Sequence, residues 1–125
     1  MAVLLFTDMV DSVALERRLG TEAYSRLLKR HHQLLLQVLE QVHGGEVRND
    51  TGDGLLCEFG TAAGAVKTAL LFQMLLRETD WETEAPRVRI GIHQGQLAEF
   101  QMNTAGPGRL VGMPVNIAAR VMSLA

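Results

Sequence analysis

The sequence predicts an α+β domain, with helices on one face of a mainly antiparallel sheet that is ferredoxin-like in its first half. Three observations lead there. Residues 3–7 are a short apolar run ending in Asp8, which reads as a buried strand. Residues 46–59 carry two strand-like runs around Gly52-Asp53-Gly54, the pattern of a β-hairpin with a tight turn. Between and after these strands, apolar residues recur at three- and four-residue steps, the period of helices with one buried stripe.

After the first strand, Asp11 or Ser12 is placed to cap a short helix through Arg18, which Gly20 stops. Thr21 then caps a longer helix. Its stripe is Leu27, Leu28, Leu34, Leu35, Val38, Leu39 and Val42, and His43-Gly44-Gly45 closes it, with glycine taking the left-handed turn. Residues 46–49 form a strand, 50–54 a turn and 55–59 a second strand. Residues 61–77 are a further helix, with a wide apolar face of Ala62, Ala63, Ala65, Val66, Ala69, Leu70, Phe72, Leu75 and Leu76. A polar linker over 81–86 leads into 87–93, which alternates as a strand with one buried face. Residues 94–110 read as a hairpin arm that turns at Asn103, Gly106, Pro107 and Gly108. Pro114 fits the first turn of a last helix through Met122.

A chain of 125 residues is one domain, 1–125, and buries roughly two-thirds of its unfolded surface. A formal net charge of -2 supplies no basic field, which argues against nucleic acid as a partner. The single Cys57 excludes an internal disulfide and reads as a buried, inert thiol. No basic region precedes the first apolar run, so there is no signal-peptide pattern. No stretch approaches the roughly 18 apolar residues of a membrane segment. The chain is cytoplasmic in character. It ends inside a helical pattern, as a domain lacking its C-terminal strands would.

The chemistry rests on acidic residues at strand ends. Asp8 and Asp53 are far apart in sequence, yet both can reach one edge of the sheet. Two converging carboxylates suit a hard divalent cation on a nucleoside triphosphate. Each alone has a plainer explanation, as a helix cap or a turn residue. Asn116 and Arg120 are four apart and share one face of the last helix. His31, His32 and His43 follow no metal-ligand spacing, and His93 reads as a core histidine satisfied by backbone.

Phe6-Thr7-Asp8, Thr51-Gly52-Asp53-Gly54, the run from Arg89 to Gly95 and the run from Gly112 to Arg120 occur in one order over the chain. In these motifs it resembles the class III adenylate and guanylate cyclases. The resemblance implies Mg²⁺ or Mn²⁺ as two ions held by Asp8 and Asp53, with the backbone carbonyl of Met9. It implies that one ion activates the ribose 3′-hydroxyl while the other neutralises phosphates. Pyrophosphate then leaves and a 3′,5′-cyclic nucleotide forms, in signal transduction. Asn116 would orient the ribose and Arg120 would stabilise the transition-state phosphate, both reaching across a homodimer interface into composite active sites.

The same resemblance marks where this chain departs from the pattern. A lysine that ATP-using members carry is Asn49 here, and its aspartate or threonine partner is Arg109. Asn49 still offers a donor and an acceptor to a purine, whereas Arg109 has no acceptor for an adenine amino group. ATP is the expected substrate, but this pair does not decide the base. The phosphate loop over Val10, Asp11, Ser12 and Val13 lacks the usual glycine and threonine. Asp11 there would repel phosphate, occupy the helix N-terminal donors or act as a third metal carboxylate. An alternative is therefore a weak or inactive cyclase-homology domain, acting as a dimerising module that senses nucleotide.

Overall fold

Residues 2–6 are apolar on both alternating sets because β1 (Ala2–Met9) lies inside the sheet and is covered on both faces. The structure, a computed structural model, describes residues 2–95. Along the chain β1 is followed by α1 (Ser12–Leu19), α2 (Thr21–Val42), β2 (Gly45–Asp50), β3 (Leu55–Phe59), α3 (Ala62–Glu78) and β4 (Val88–Gly95). The sheet order is β2-β3-β1-β4, and every neighbouring pair is antiparallel. The β1–helix–β2 and β3–α3–β4 units interleave, which is the ferredoxin-like arrangement expected.

Val3 and Leu5 of β1 share a face with Leu55, Cys57 and Phe59 of β3. That face meets Leu34, Leu35 and Val38 of α2 and Phe72 of α3. Ala2, Leu4, Phe6 and Leu56 point the other way and are buried too. Cys57 is a free, buried cysteine, and burial pushes its thiol up to about 12. β4 contributes Val88, Ile90 and Ile92 to the helical side, as its alternation predicted. His93 is half-buried on the opposite parity, in register with Leu4, rather than a core residue.

Several boundaries differ from the sequence reading for identifiable reasons. Thr21 is the first residue of α2 and not its cap; Gly20 holds the cap position with φ 87° and no side-chain bond. At the other end His43 itself takes a left-handed φ of 63°, shared with Gly44 at 82°. Thr61 does cap α3, accepting from the Gly64 amide at 3.1 Å. The face of α3 is narrower than its composition suggests. Ala65, Thr68 and Phe72 are buried, while Val66 and Leu70 stand 47% and 58% exposed.

The polar linker is anchored by its one large apolar residue. Trp81 packs between the main core and a smaller cluster of Met9, Leu15, Tyr24 and Leu27. Its indole N–H donates to the Leu76 carbonyl at 3.0 Å. Among the described residues no helix is long and apolar enough to cross a membrane. The expected hairpin arm past residue 95 and the helix from Pro114 lie outside the described residues, as do Arg109, Asn116 and Arg120.

Candidate functional site

The end of β1 and the tip of the β2–β3 hairpin are drawn together by backbone, and a glycine makes the approach possible. The Thr51 amide donates to the Gly54 carbonyl at 3.1 Å, closing the turn over Gly52, whose φ is 99°. The Leu55 amide donates to the buried Thr7 hydroxyl at 3.0 Å, and the Met9 amide donates to the Asp53 carbonyl at 3.2 Å. A Cβ on Gly54 would stand 1.8 Å from the Thr7 carbonyl oxygen, so no other residue fits there without moving β1. This docking sets Asp53 beside Asp8.

Asp8 and Asp53 line one opening of about 610 Å³ at the sheet edge. Asp8 lies across from Arg89 in the β1–β4 register, and the Arg89 guanidinium donates to Asp8 Oδ2 at 2.6 Å. The Asp8 carboxyl is raised above its usual range, chiefly by burial, against the opposing pull of Arg89. The neighbouring Asp53 carboxyl raises it further by charge and by a hydrogen bond. A site that strains to keep two adjacent carboxylates ionised is one that a dication relieves.

The residues after β1 are placed differently from one another. The Val10 amide donates to the Arg87 carbonyl at 2.8 Å, extending the β1–β4 ladder, so this donor of the expected phosphate loop is already engaged. Val10 faces a separate crevice beside Arg18 and Glu84. Asp11 takes the cap position of α1 in left-handed conformation, with φ 51°, and its side chain makes no capping bond. It therefore does not occupy the helix N-terminal donors. Ser12 and Val13 begin the helix at the opening, and Val13 is exposed.

Asp11 lines the opening without joining the carboxylate pair: among the described residues no cluster of three or more His, Cys, Asp or Glu could hold a metal. Asp8, Asp53 and nearby backbone fit an ion that draws its remaining ligands from phosphate and water, as Mg²⁺ does. Asn49 stands on β2 next to a bulge, paired in register with Leu56, and is not among the residues lining this opening.

Two site residues escaped the sequence reading. Arg89 was part of a motif but carried no assigned role, and only the strand register brings it to Asp8. Tyr24 of α2, packed with Met9, feels the charge of Asp53 without lining the opening. Its hydroxyl is raised above the usual range by burial first, then by the charge of Asp53, while a hydrogen bond to Ser12 opposes the shift. Its position three residues before Leu27, on the same stripe, is the signal that could have found it. A second cleft, about 410 Å³ between α2 and residues 80–83, holds Arg26 and Glu82 already joined at 2.6 Å.

Comparisons with known proteins place the chain in a family and a fold. The chain is 30% identical over 128 residues to "Putative adenylate cyclase 3" of Rhizobium meliloti (strain 1021), covering all of this chain and 21% of that protein. It thus spans about a fifth of that relative's length. The crystal structure of an adenylate/guanylate cyclase/hydrolase from Silicibacter pomeroyi is 28% identical, with a TM-score of 0.70 over 99% of this chain and 70% of that one. A Trypanosoma brucei adenylate cyclase structure, 19% identical, shares the fold with a TM-score of 0.77, covering 99% of this chain and 68% of that one. The model of the adenylate and guanylate cyclase catalytic domain matches residues 1–125, and the chain belongs to that family.

Proposed function

We propose that the chain is a nucleotidyl cyclase domain, converting a nucleoside triphosphate, ATP in the first instance, to a 3′,5′-cyclic nucleotide and pyrophosphate. It acts as a single domain in the cytoplasm, in signal transduction. The observation that carries the reading is the Asp8–Asp53 pair, held together by the Met9–Asp53 backbone bond at a common opening. Mg²⁺ or Mn²⁺ held there, as two ions with the Met9 carbonyl, would lower the pKa of the ribose hydroxyl and neutralise phosphate charge.

The chain's own residues divide the remaining work. Asp8 and Asp53 bind and orient the ions. Once Asp8 has a cation to face, Arg89 is freed to turn its guanidinium toward phosphate oxygens. The start of α1, at Ser12 and Val13 and without a side-chain cap, faces the same opening and suits an anion. Asn116 would position the ribose and Arg120 the transition-state charge, from the partner in a homodimer, so an isolated protomer is inactive. Asn49 and Arg109 would meet the base.

The test is purified protein with each nucleoside triphosphate and Mn²⁺, assayed for cyclic product. Formation of one cyclic nucleotide supports the proposal. Tight triphosphate binding with no product from any of the four would replace it with the dimerising, nucleotide-sensing module.

A further inference from the structure

Behind the hairpin tip runs a line of polar groups that begins in the core. His31 is fully buried on α2, stacked edge-on to Phe72 with ring centroids 5.2 Å apart. A leucine would fill such a place at no polar cost. Its Nδ1 instead lies 2.8 Å from Nδ1 of His32, the next residue, which the helix turns sideways toward β2. His32 Nε2 then faces Asp50 Oδ2 at 3.5 Å. The other oxygen of Asp50 accepts from the Gly52 amide at 2.9 Å, one residue before Asp53.

The chemistry of the rings gives this line a direction. Two Nδ1 atoms at hydrogen-bond distance require one N–H and one lone pair. If His31 donates, His32 is protonated at Nε2 and presents that N–H to the Asp50 carboxylate. The reverse arrangement turns a lone pair of neutral His32 toward Asp50 and leaves a buried N–H on His31, whose Nε2 has no partner among the described residues. The first arrangement is the favourable one. Burial holds His31 neutral, pushed down to about 4, so it stays a single-proton donor near neutral pH.

The other face of the tip is fixed by Thr7 and Met9 of β1. The Asp50 side holds the approach to Gly52, whose positive φ turns the chain there. We propose that the His31–His32–Asp50 line is a brace that sets the position of Asp53 for its cation, making His32 and Asp50 positioning residues. This rests on the cation reading of the Asp8–Asp53 pair. Outer groups that orient metal ligands typically govern about 10–100-fold in affinity.

The experiment follows amide exchange of the peptide spanning residues 51–54 and, separately, Mn²⁺ binding by the loss of the free-ion paramagnetic signal. It compares wild type with His32→Phe, Asp50→Ala, the double variant and His32→Gln. His32→Phe and Asp50→Ala are each expected to speed exchange at the tip severalfold and to weaken Mn²⁺ binding by about tenfold. The double variant is expected to be no worse than the worse single. His32→Gln, whose amide still offers a donor to Asp50, is expected to stay near wild type. Unchanged tip exchange in His32→Phe, or additive losses in the double variant, would overturn the brace. Faster exchange in His32→Phe with no Mn²⁺ binding even in wild type would uphold the brace and sink the cation reading instead.

Discussion

Charge is handled in opposite ways at the hairpin edge of the sheet and along the outer side of α1 and α2. On the outer side Arg18 meets Glu84 through two 3.0 Å bonds, and Arg26 meets Glu82 at 2.6 and 3.0 Å, all exposed. Each carboxyl there is held below its usual range by its arginine. At the hairpin edge, Arg89 bonds Asp8, yet the Asp8 carboxyl is raised by burial and by Asp53. In the first region each of these pairs is mutually satisfied at the surface. The second keeps the Asp8 carboxyl raised despite its arginine, in a fold that uses a glycine and a buried threonine to assemble it. Electrostatic discontent, more than acidity, separates a site from a solvated surface.

Four substitutions or conditions sharpen or break this contrast. Asp53→Ala is expected to lower cyclase turnover by about a thousandfold, by analogy with removal of one preorganised charge-stabilising group. Its thermal midpoint should stay near wild type without metal, because a repulsion is lost with the side chain. Wild type should gain stability on adding Mn²⁺ while this variant does not. A large drop in the midpoint would make Asp53 structural and dissolve the contrast.

Gly54→Ala is expected to cost roughly 4 kcal/mol in denaturant unfolding, since its Cβ would collide with backbone and not with a yielding side chain. Wild-type stability in that variant would show that the hairpin can dock on β1 in another way.

Acid tests the neutral histidine behind the tip. The pKa of His31 is lowered, chiefly by burial, from 6.5 in the unfolded chain to about 4 in the fold, where His32, Asp50 and Asp53 are the titratable groups near it. The unfolded state therefore binds the extra proton first. Stability should be intact above pH 6.5 and fall as pH drops toward 4, by up to about 3 kcal/mol. His31→Leu should flatten that part of the profile, read as the urea midpoint against pH. The smallest effect belongs to the outer pairs: Arg18→Ala and Arg26→Ala are each expected to leave the thermal midpoint within about 2 °C of wild type.

Much of this arrangement is legible in the sequence where one element decides it. β3 begins and ends at Leu55 and Phe59, as its apolar run between glycines suggests. Helix periods placed α2 and α3 to within a residue or two. What local pattern cannot give is pairing across the sheet. Arg89 finds Asp8 only because β4 runs antiparallel to β1 in one particular register, 81 positions away in the chain. The histidines were passed over because metal spacing was the rule applied to them. Their partners are each other and Asp50, which that rule does not test. Val66 and Leu70 mislead for a related reason, since α3 is apolar around most of its circumference and composition alone does not say which side meets the sheet.

Cys57 sits at the centre of all this, on the strand between the hairpin edge and the core. With the thiol enclosed and its proton held so tightly, no thiolate is presented to attack a maleimide while the sheet is closed. Because no second cysteine competes for the reagent, the rate of labelling becomes a clock for sheet opening. It runs in the untouched wild-type protein, without a probe being engineered in.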